Sequence, residues 1–465
     1  MRPTRGIPEL CRSGPLGRDP TSQTWRDSEP HRNGREHPLG PVSFPNSLGS
    51  SESGKASETL GPRIMSEPTG AKSRPEGKLL PQELGMDWVA RVQDFCRTHV
   101  RPFRTQIDRD DRFPPELREA LQKSGLLGLT VPREYGGAGL STREFVRVLE
   151  ELSAESPALA TLVSVHLGVV CHPLLEFGTE QQKRLWLPRL ASGDWIGAFA
   201  LTEPDAGSDA QRIRLRYHRD AAGYTLNGTK MFISSAETAH VLLTFATRDP
   251  GLGARGISCF LVPKGPKGPR IAQRLDKMGD RGSDTCEVVF EDCPVPEDGL
   301  LGEEGRGFSI AMRALEAGRV GIAALSVGVA RSAFERMREF VKGDPSPWKQ
   351  AALARAYVEV EASRALVHRA AQLRDQGDDF GMAASAAKLL ASTTAFRIAS
   401  QAIDVGGRAT AARDHPSGIE QVFRDARVLT IVEGTTEIQE LILGRRLSEG
   451  HRAATLPGSG SVDPP

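Results

Sequence analysis

Charge bias, long apolar runs and paired cysteines are all missing from this chain. Among 465 residues, 60 Lys and Arg face 59 Asp and Glu, a net charge of +1. The two signs are mixed along the chain, so no basic stripe argues for nucleic acid and no excess charge for a membrane surface. No uninterrupted apolar run reads as long enough to span a bilayer. The six cysteines (Cys11, Cys96, Cys171, Cys259, Cys286, Cys293) lack CxxC or metal-like spacing. A reduced, intracellular and cytoplasmic protein without a metal site is the simple reading. No GxGxxG follows a strand-like run, so nothing supports a Rossmann nucleotide site.

The two ends lack apolar periodicity. Residues 1–82 are rich in Arg, Ser, Gly and Pro and are expected to be disordered. Arg2, Arg5, Arg12 and Arg18 suggest a transit peptide, but Glu9, Asp19, Asp27, Glu29 and Glu36 break its acid-poor rule, and no secretory apolar core is present. Met65 opens an ordinary start, so the first 64 residues read as an overextended gene model. Residues 451–465 form a Gly/Ser/Pro tail.

Between the ends the hydrophobic period changes twice. Residues 83–198 carry three-and-four spacing, with one long helical stretch expected from Arg143 to Val170 and a helix start capped near Thr179. From Ala198 the pattern alternates. Ile213, Leu215 and Tyr217 face one way, Tyr224 to Leu226 runs into Asn227-Gly228 as a hairpin turn, and Val241–Phe245, Ile257–Val262 and Val288–Phe290 read as strands. Three long Ala- and Leu-rich helices follow over Phe308–Phe340, Ala351–Asp375 and Gly381–Val405, with a fourth after Gly434. The expected fold is α+β: an N-terminal helical domain (83–198), a middle antiparallel β domain (199–305) and a C-terminal four-helix bundle (306–450).

One stretch concentrates the chemistry. Arg424-Asp425-Ala426-Arg427-Val428-Leu429-Thr430-Ile431-Val432-Glu433-Gly434-Thr435-Thr436-Glu437-Ile438-Gln439 passes from charged to apolar and then sets one carboxylate before a glycine. Thr435 or Thr436 is a plausible cap for the helix that follows, which presents Glu433 from an apolar approach at its mouth. Gly434 lets backbone approach whatever the carboxylate faces. Upstream, Ala198 to Asp209 supplies hydroxyls (Thr202, Ser208) and glycine-flanked N–H groups suited to the carbonyl or phosphate oxygens of a ligand.

The 424–439 wording resembles the C-terminal signature of the acyl-CoA dehydrogenase family, and the likeness extends over about residues 83–450. The loop Val131 to Leu140 is similar to that family's glycine-rich turn. The resemblance implies FAD as cofactor and Glu433 as the base. It implies that Phe199, Leu201, Thr202, Gly207 and Ser208 contact the flavin, with Phe232 stacking on the ring and Ser234 bonding it. Phe232 stands where the family usually has tryptophan, so weaker flavin affinity is expected. Thr435 and Glu437 are implied as further cofactor contacts, and Ser208, Glu316, Arg319 and Gly434 as contacts to the thioester.

A neighbouring subunit in this family reaches the far end of FAD, which implies a homodimer or homotetramer. Here the corresponding places hold Arg336, out of step with the family arginine, and Gly406-Gly407 without the usual glutamine. A second position used for the base in some branches falls on Gly318, which has no side chain to act.

The resemblance implies α-proton removal from an acyl-CoA by Glu433, β-hydride transfer to the flavin, and an electron-transfer flavoprotein as partner. The thioester oxygen would be held by the Glu433 N–H and a ribityl hydroxyl. An alternative keeps the mechanism but places acyl or 2-hydroxyacyl groups on carrier proteins of a polyketide or peptide pathway. A direct oxidase, a monooxygenase on this fold and a flavin-binding relative without catalysis are the remaining readings. Spacing does not give the acyl chain length.

Overall fold

The structure is a computed structural model describing residues 87–449. The expected disordered start and the 451–465 tail lie outside the described residues.

Asp87 caps the first helix, its carboxylate accepting from the Val89 and Ala90 amides. The helical domain comprises α1 (Trp88–Phe95), α2 (Arg104–Asp110), α3 (Pro115–Ser124), α4 (Thr142–Glu155), α5 (Pro157–Ser164), α6 (His172–Phe177) and α7 (Glu180–Ala191). Reciprocal capping boxes, Ser141 with Glu144 and Thr179 with Gln182, fix the starts of α4 and α7, each worth about 1 kcal/mol. The long helix expected from Arg143 breaks at Ser156. Pro157 holds the preceding residue extended, and the Ser156 hydroxyl then caps α5.

Val165–Cys171 continues α5 as a π-helix into α6. Pro157–Phe177 is long and apolar enough on average to cross a bilayer, although Ser164, His166 and His172 interrupt the run, and 89% of its most apolar window is buried inside the protein. It is a core helix among packed neighbours.

The middle domain is one eight-stranded sheet: β1 (Gly197–Ala200), β2 (Arg216–Asp220), β3 (Gly223–Ser234), β4 (Val241–Thr247), β5 (Ile257–Pro263), β6 (Arg270–Arg274), β7 (Thr285–Val295) and β8 (Leu300–Leu301). The order is β6-β7-β3-β2-β4-β5-β8, antiparallel except where β1 and β2 pair with β4. Tyr217, Tyr224 and Phe260 meet edge-on inside it.

Asn227-Gly228 is not a hairpin turn. β3 runs through it with a shift of register against β7, and the Asn227 side chain bridges the bulge to Asp292 in both directions. The β2–β3 turn lies earlier, at Asp220–Gly223, where the Asp220 carboxylate accepts from the Ala222 amide.

The C-terminal helices are α8 (Gly307–Val341), α9 (Pro347–Gln376), α10 (Gly381–Gly406), α11 (Ile419–Leu429) and α12 (Thr436–Ser448). Buried alanines at 384, 387, 391, 395, 399 and 402 give α10 a smooth face against its neighbours. The short α11 carries the charged half of the signature. Its Arg424 forks onto Asp108 of α2 at 2.8 and 2.8 Å and onto Glu420 at 2.8 Å, while Asp425 accepts the Asp280 amide at 2.7 Å. One turn of helix thereby ties all three domains together.

Candidate active site

α11 ends at Leu429, and the chain reverses before α12 begins. The Thr436 amide returns to the Thr430 carbonyl at 3.0 Å, and the Thr435 hydroxyl accepts from the Ile438 amide, which makes Thr435 the N-cap. Inside this closed corner Glu433 and Gly434 have φ of 52° and 100°. Left-handed backbone disfavours a residue with a side chain, so Glu433 is held in a conformation its surroundings must maintain.

The corner delivers the Glu433 carboxyl over α8. A Cβ built on Gly318 would overlap Glu433 Oε2 and stand 2.6 Å from Cδ and 2.8 Å from Val169 Cγ1. A small apolar cluster, Val165, Val169 and Ala314 with Phe199 packed against it, lies beside that point, separate from the main core. The residue is partly exposed, but Oε2 is sealed and has no hydrogen-bond partner. Burial pushes the Glu433 carboxyl up to about 7, with Arg319 and Lys388 pulling it down. The Glu433 amide has no acceptor among the described residues.

Arg319 is 7% exposed, its Nε is unpartnered, and burial lowers its pKa against the pull of Glu316 and Glu433. Glu316 faces Arg313 at 3.5 Å and Arg446 at 3.8 Å. Unsatisfied buried polar atoms are uncommon in folded proteins, and Arg319 Nε and Glu433 Oε2 are two of them.

The β domain supplies a second wall. Glu203 is buried, taking the Arg214 and Leu215 amides and pairing with Lys230 at 2.8 Å. The Lys230 ammonium, wholly buried, also donates to the Leu201 carbonyl at 2.8 Å, and the Met231 amide donates to the Thr202 carbonyl at 2.9 Å. Lys230 and Glu203 thus rivet the 201–209 loop to β3, bringing Leu201 and Thr202 beside Lys230 and Met231, next to Phe232 in the chain.

Phe232 is 63% exposed with φ of 59°, a large aromatic held outward. Gly207 has open space where a Cβ would sit, and the Gly207 and Ser208 amides have no acceptor among the described residues. An exposed aromatic, free hydroxyls and uncommitted amides fit a flavin ring and its phosphates.

Arg336, Gly406 and Gly407 form a different group. Arg336 stands 18 residues beyond Gly318 on α8, roughly 27 Å by helix rise. It donates to the Ser417 carbonyl at 2.7 Å and the Ser332 carbonyl at 2.8 Å. Gly406 packs on Phe340, and Gly407 is open with φ of 88°. Glu437 is exposed on the first turn of α12.

Sequence reasoning passed over the π-helix, Lys230 and Lys388. Lys388 is fully buried on α10 and donates to the Gly434 carbonyl at 2.8 Å. A lysine among alanines gives no signal of burial. The π-helix, a feature that often marks functional sites, follows from an apolar run that looks like any core helix.

Three domain models of one family cover the described chain: acyl-CoA dehydrogenase N-terminal domain at residues 86–194, middle domain at 198–293 and C-terminal domain at 305–448. An acyl-CoA dehydrogenase of Bacillus subtilis (strain 168) is 41% identical over 367 residues, 77% of this chain and 96% of the relative. The human mitochondrial short-chain specific acyl-CoA dehydrogenase is 37% identical over 369 residues, 78% of this chain and 89% of the relative. Butyryl-CoA dehydrogenase from Megasphaera elsdenii superposes with a TM-score of 0.75 at 34% identity, covering 78% of this chain and 97% of that one. On these grounds the chain belongs to the acyl-CoA dehydrogenase family.

Proposed function

We propose that the protein is an FAD-dependent acyl-CoA dehydrogenase that removes the α-proton of an acyl thioester with Glu433. The observation that carries this reading is the buried, unpartnered Glu433 oxygen beside the Val165–Val169–Ala314–Phe199 cluster. An α-proton is weakly acidic, and a carboxyl raised to about 7 is a far stronger base at neutral pH than one at its ordinary 4.5. The apolar cluster keeps water from competing for the base and offers a surface to the acyl chain. The Glu433 amide, which has no acceptor among the described residues, would hold the thioester oxygen as negative charge develops there. Bound FAD would accept the β-hydride.

Phe199, Leu201, Thr202, Gly207, Ser208, Phe232 and Ser234 would hold the flavin, with Thr435 and Glu437 bordering it from the α12 side. Ser208, Glu316, Arg319 and Gly434 would line the thioester's path. Arg336, Gly406 and Gly407 would serve the cofactor of a second copy in a homodimer or homotetramer, and an electron-transfer flavoprotein would reoxidise the enzyme. Sedimentation of the holoenzyme tests the assembly.

Anaerobic mixing with thioesters, followed by flavin absorbance, tests the reaction. Short, branched and long acyl-CoAs are compared with carrier-protein-bound acyl and hydroxyacyl groups. Rapid bleaching by an acyl-CoA, lost in Glu433→Gln, is expected. Bleaching by carrier-bound groups alone would move the protein to a biosynthetic role, and no bleaching of the FAD-loaded protein would defeat the reading.

A further inference from the structure

A lysine with no exposed surface needs a reason. Lys388 has 0% relative exposure on α10, and among the described residues its ammonium finds one hydrogen-bond acceptor, the Gly434 carbonyl at 2.8 Å. That carbonyl also accepts from Gln439 Nε2 at 2.9 Å, and Gln439 is equally buried on α12. Two side chains from two helices therefore converge on one backbone oxygen. The oxygen belongs to the second of two consecutive residues in left-handed backbone, Glu433 and Gly434. Such a conformation persists at a non-glycine residue only where its surroundings over-determine it.

We propose that Lys388 is a positioning residue for the dehydrogenation. With Gln439 it clamps the Gly434 carbonyl, locks the Glu433–Gly434 corner, and so aims the Glu433 carboxyl and amide at the thioester. The inference rests on the reading of Glu433 as the base. Burying an ammonium is costly, and an apolar residue would fill the same helix position without that cost. What an apolar residue cannot do is grip the carbonyl.

The grip also leaves the base free. No hydrogen bond joins Lys388 to Glu433 among the described residues, so the ammonium acts on the carboxylate through space while Oε2 stays open to a proton. The charged groups facing this pair are Arg319 from α8 and Glu437 from α12. Burial draws Lys388 down to about 8, with Glu433 and Glu437 pulling it up and Arg319 pulling it down. Carboxylate and ammonium therefore coexist mainly between about 7 and 8, and the two limbs of the rate profile belong to the coupled pair.

The test compares wild type, Lys388→Met and Lys388→Arg as FAD holoenzymes. It reads flavin reduction against pH and substrate, thermal midpoint, and amide exchange over residues 430–440. Lys388→Met is expected to reduce its flavin ~10²-fold more slowly at saturating substrate, with KM little changed. Its acid limb should move up by about one unit as the nearby cation is lost, and exchange should quicken at 432–436 without spreading along α10. Lys388→Arg should restore most of the rate and carry the alkaline limb out of range, because arginine does not deprotonate. A folded Lys388→Met with wild-type rate, acid limb and exchange would overturn the proposal. So would loosening spread evenly through α10 with the acid limb unmoved. If Lys388→Met does not fold, Gln439→Leu removes the other half of the clamp, and unchanged exchange at 432–436 then overturns it. Failure of wild type to be reduced by any thioester strikes the parent reading, whereas the exchange measurement still judges the clamp.

Discussion

Two carboxylates eight residues apart, Asp425 and Glu433, share most of what defines a site and differ in one respect. Burial raises both, Asp425 to about 6 and Glu433 to about 7. Asp425 accepts the Asp280 amide at 2.7 Å, beside an arginine that forks onto Asp108. Glu433 leaves Oε2 without a partner over the bare backbone of Gly318. A perturbed carboxyl is thus a poor guide by itself. The one that accepts a backbone amide joins domains, and the one with an unpartnered oxygen has capacity left for a substrate.

The sharpest way to break this division is to neutralise each side. Glu433→Gln should slow anaerobic flavin reduction by roughly 10⁴-fold while calorimetry finds the thermal midpoint unchanged or raised, since an unpaired buried acid is removed. Arg424→Met should do the reverse. Losing one partner of the buried Asp108–Arg424–Glu420 group should cost about 3–5 kcal/mol in denaturant unfolding. The rate per FAD-loaded molecule should hardly move. A large rate loss at full flavin occupancy would dissolve the distinction.

Gly318→Ala probes the active corner from its other wall. The added methyl collides with the Glu433 carboxyl, so a rate loss of ~10² is expected from misplacement of about an ångström. A single-turnover rate like wild type would mean that the corner yields. The smallest effect concerns pH. Asp425 and Asp280 have folded values of about 6 and about 7 against an ordinary 3.8. The stability they contribute in protonated form is complete below 3.8 and is lost as pH rises through about 6 and then about 7. Asp425→Asn should flatten that fall by on the order of 1–2 kcal/mol, read from thermal midpoints between pH 4 and 7.

Much of this was legible in the sequence. The three domains follow from the period of the apolar residues, and Glu433 was singled out by the likeness of its segment to the family's C-terminal signature, the apolar approach ending at glycine being a modest signal alone. Neither the period nor the apolar approach showed that Asp425 would be engaged, because its partner, the Asp280 amide, lies 145 residues away. Asn227-Gly228 carried turn chemistry that tertiary pairing with Asp292 converted into a bulge. Lys388, standing among alanines, gave no sign of its burial, and nothing near Arg336 in the chain announced the Ser417 carbonyl that holds it. In each case the residue type was correct evidence, but its direction in space was set by elements far along the chain.

The contact between Gly318 and the Glu433 carboxyl also bears on how such enzymes diversify. One volume serves two chain positions, and it accommodates a single carboxyl. On the proposed role of Glu433, a lineage that carried the base from the α11–α12 corner to α8 would have to empty one position while filling the other. Either change alone gives a protein with two acids crowded into one space or with none. Residues 318 and 433 are therefore expected to be epistatic, and to change as a pair across relatives.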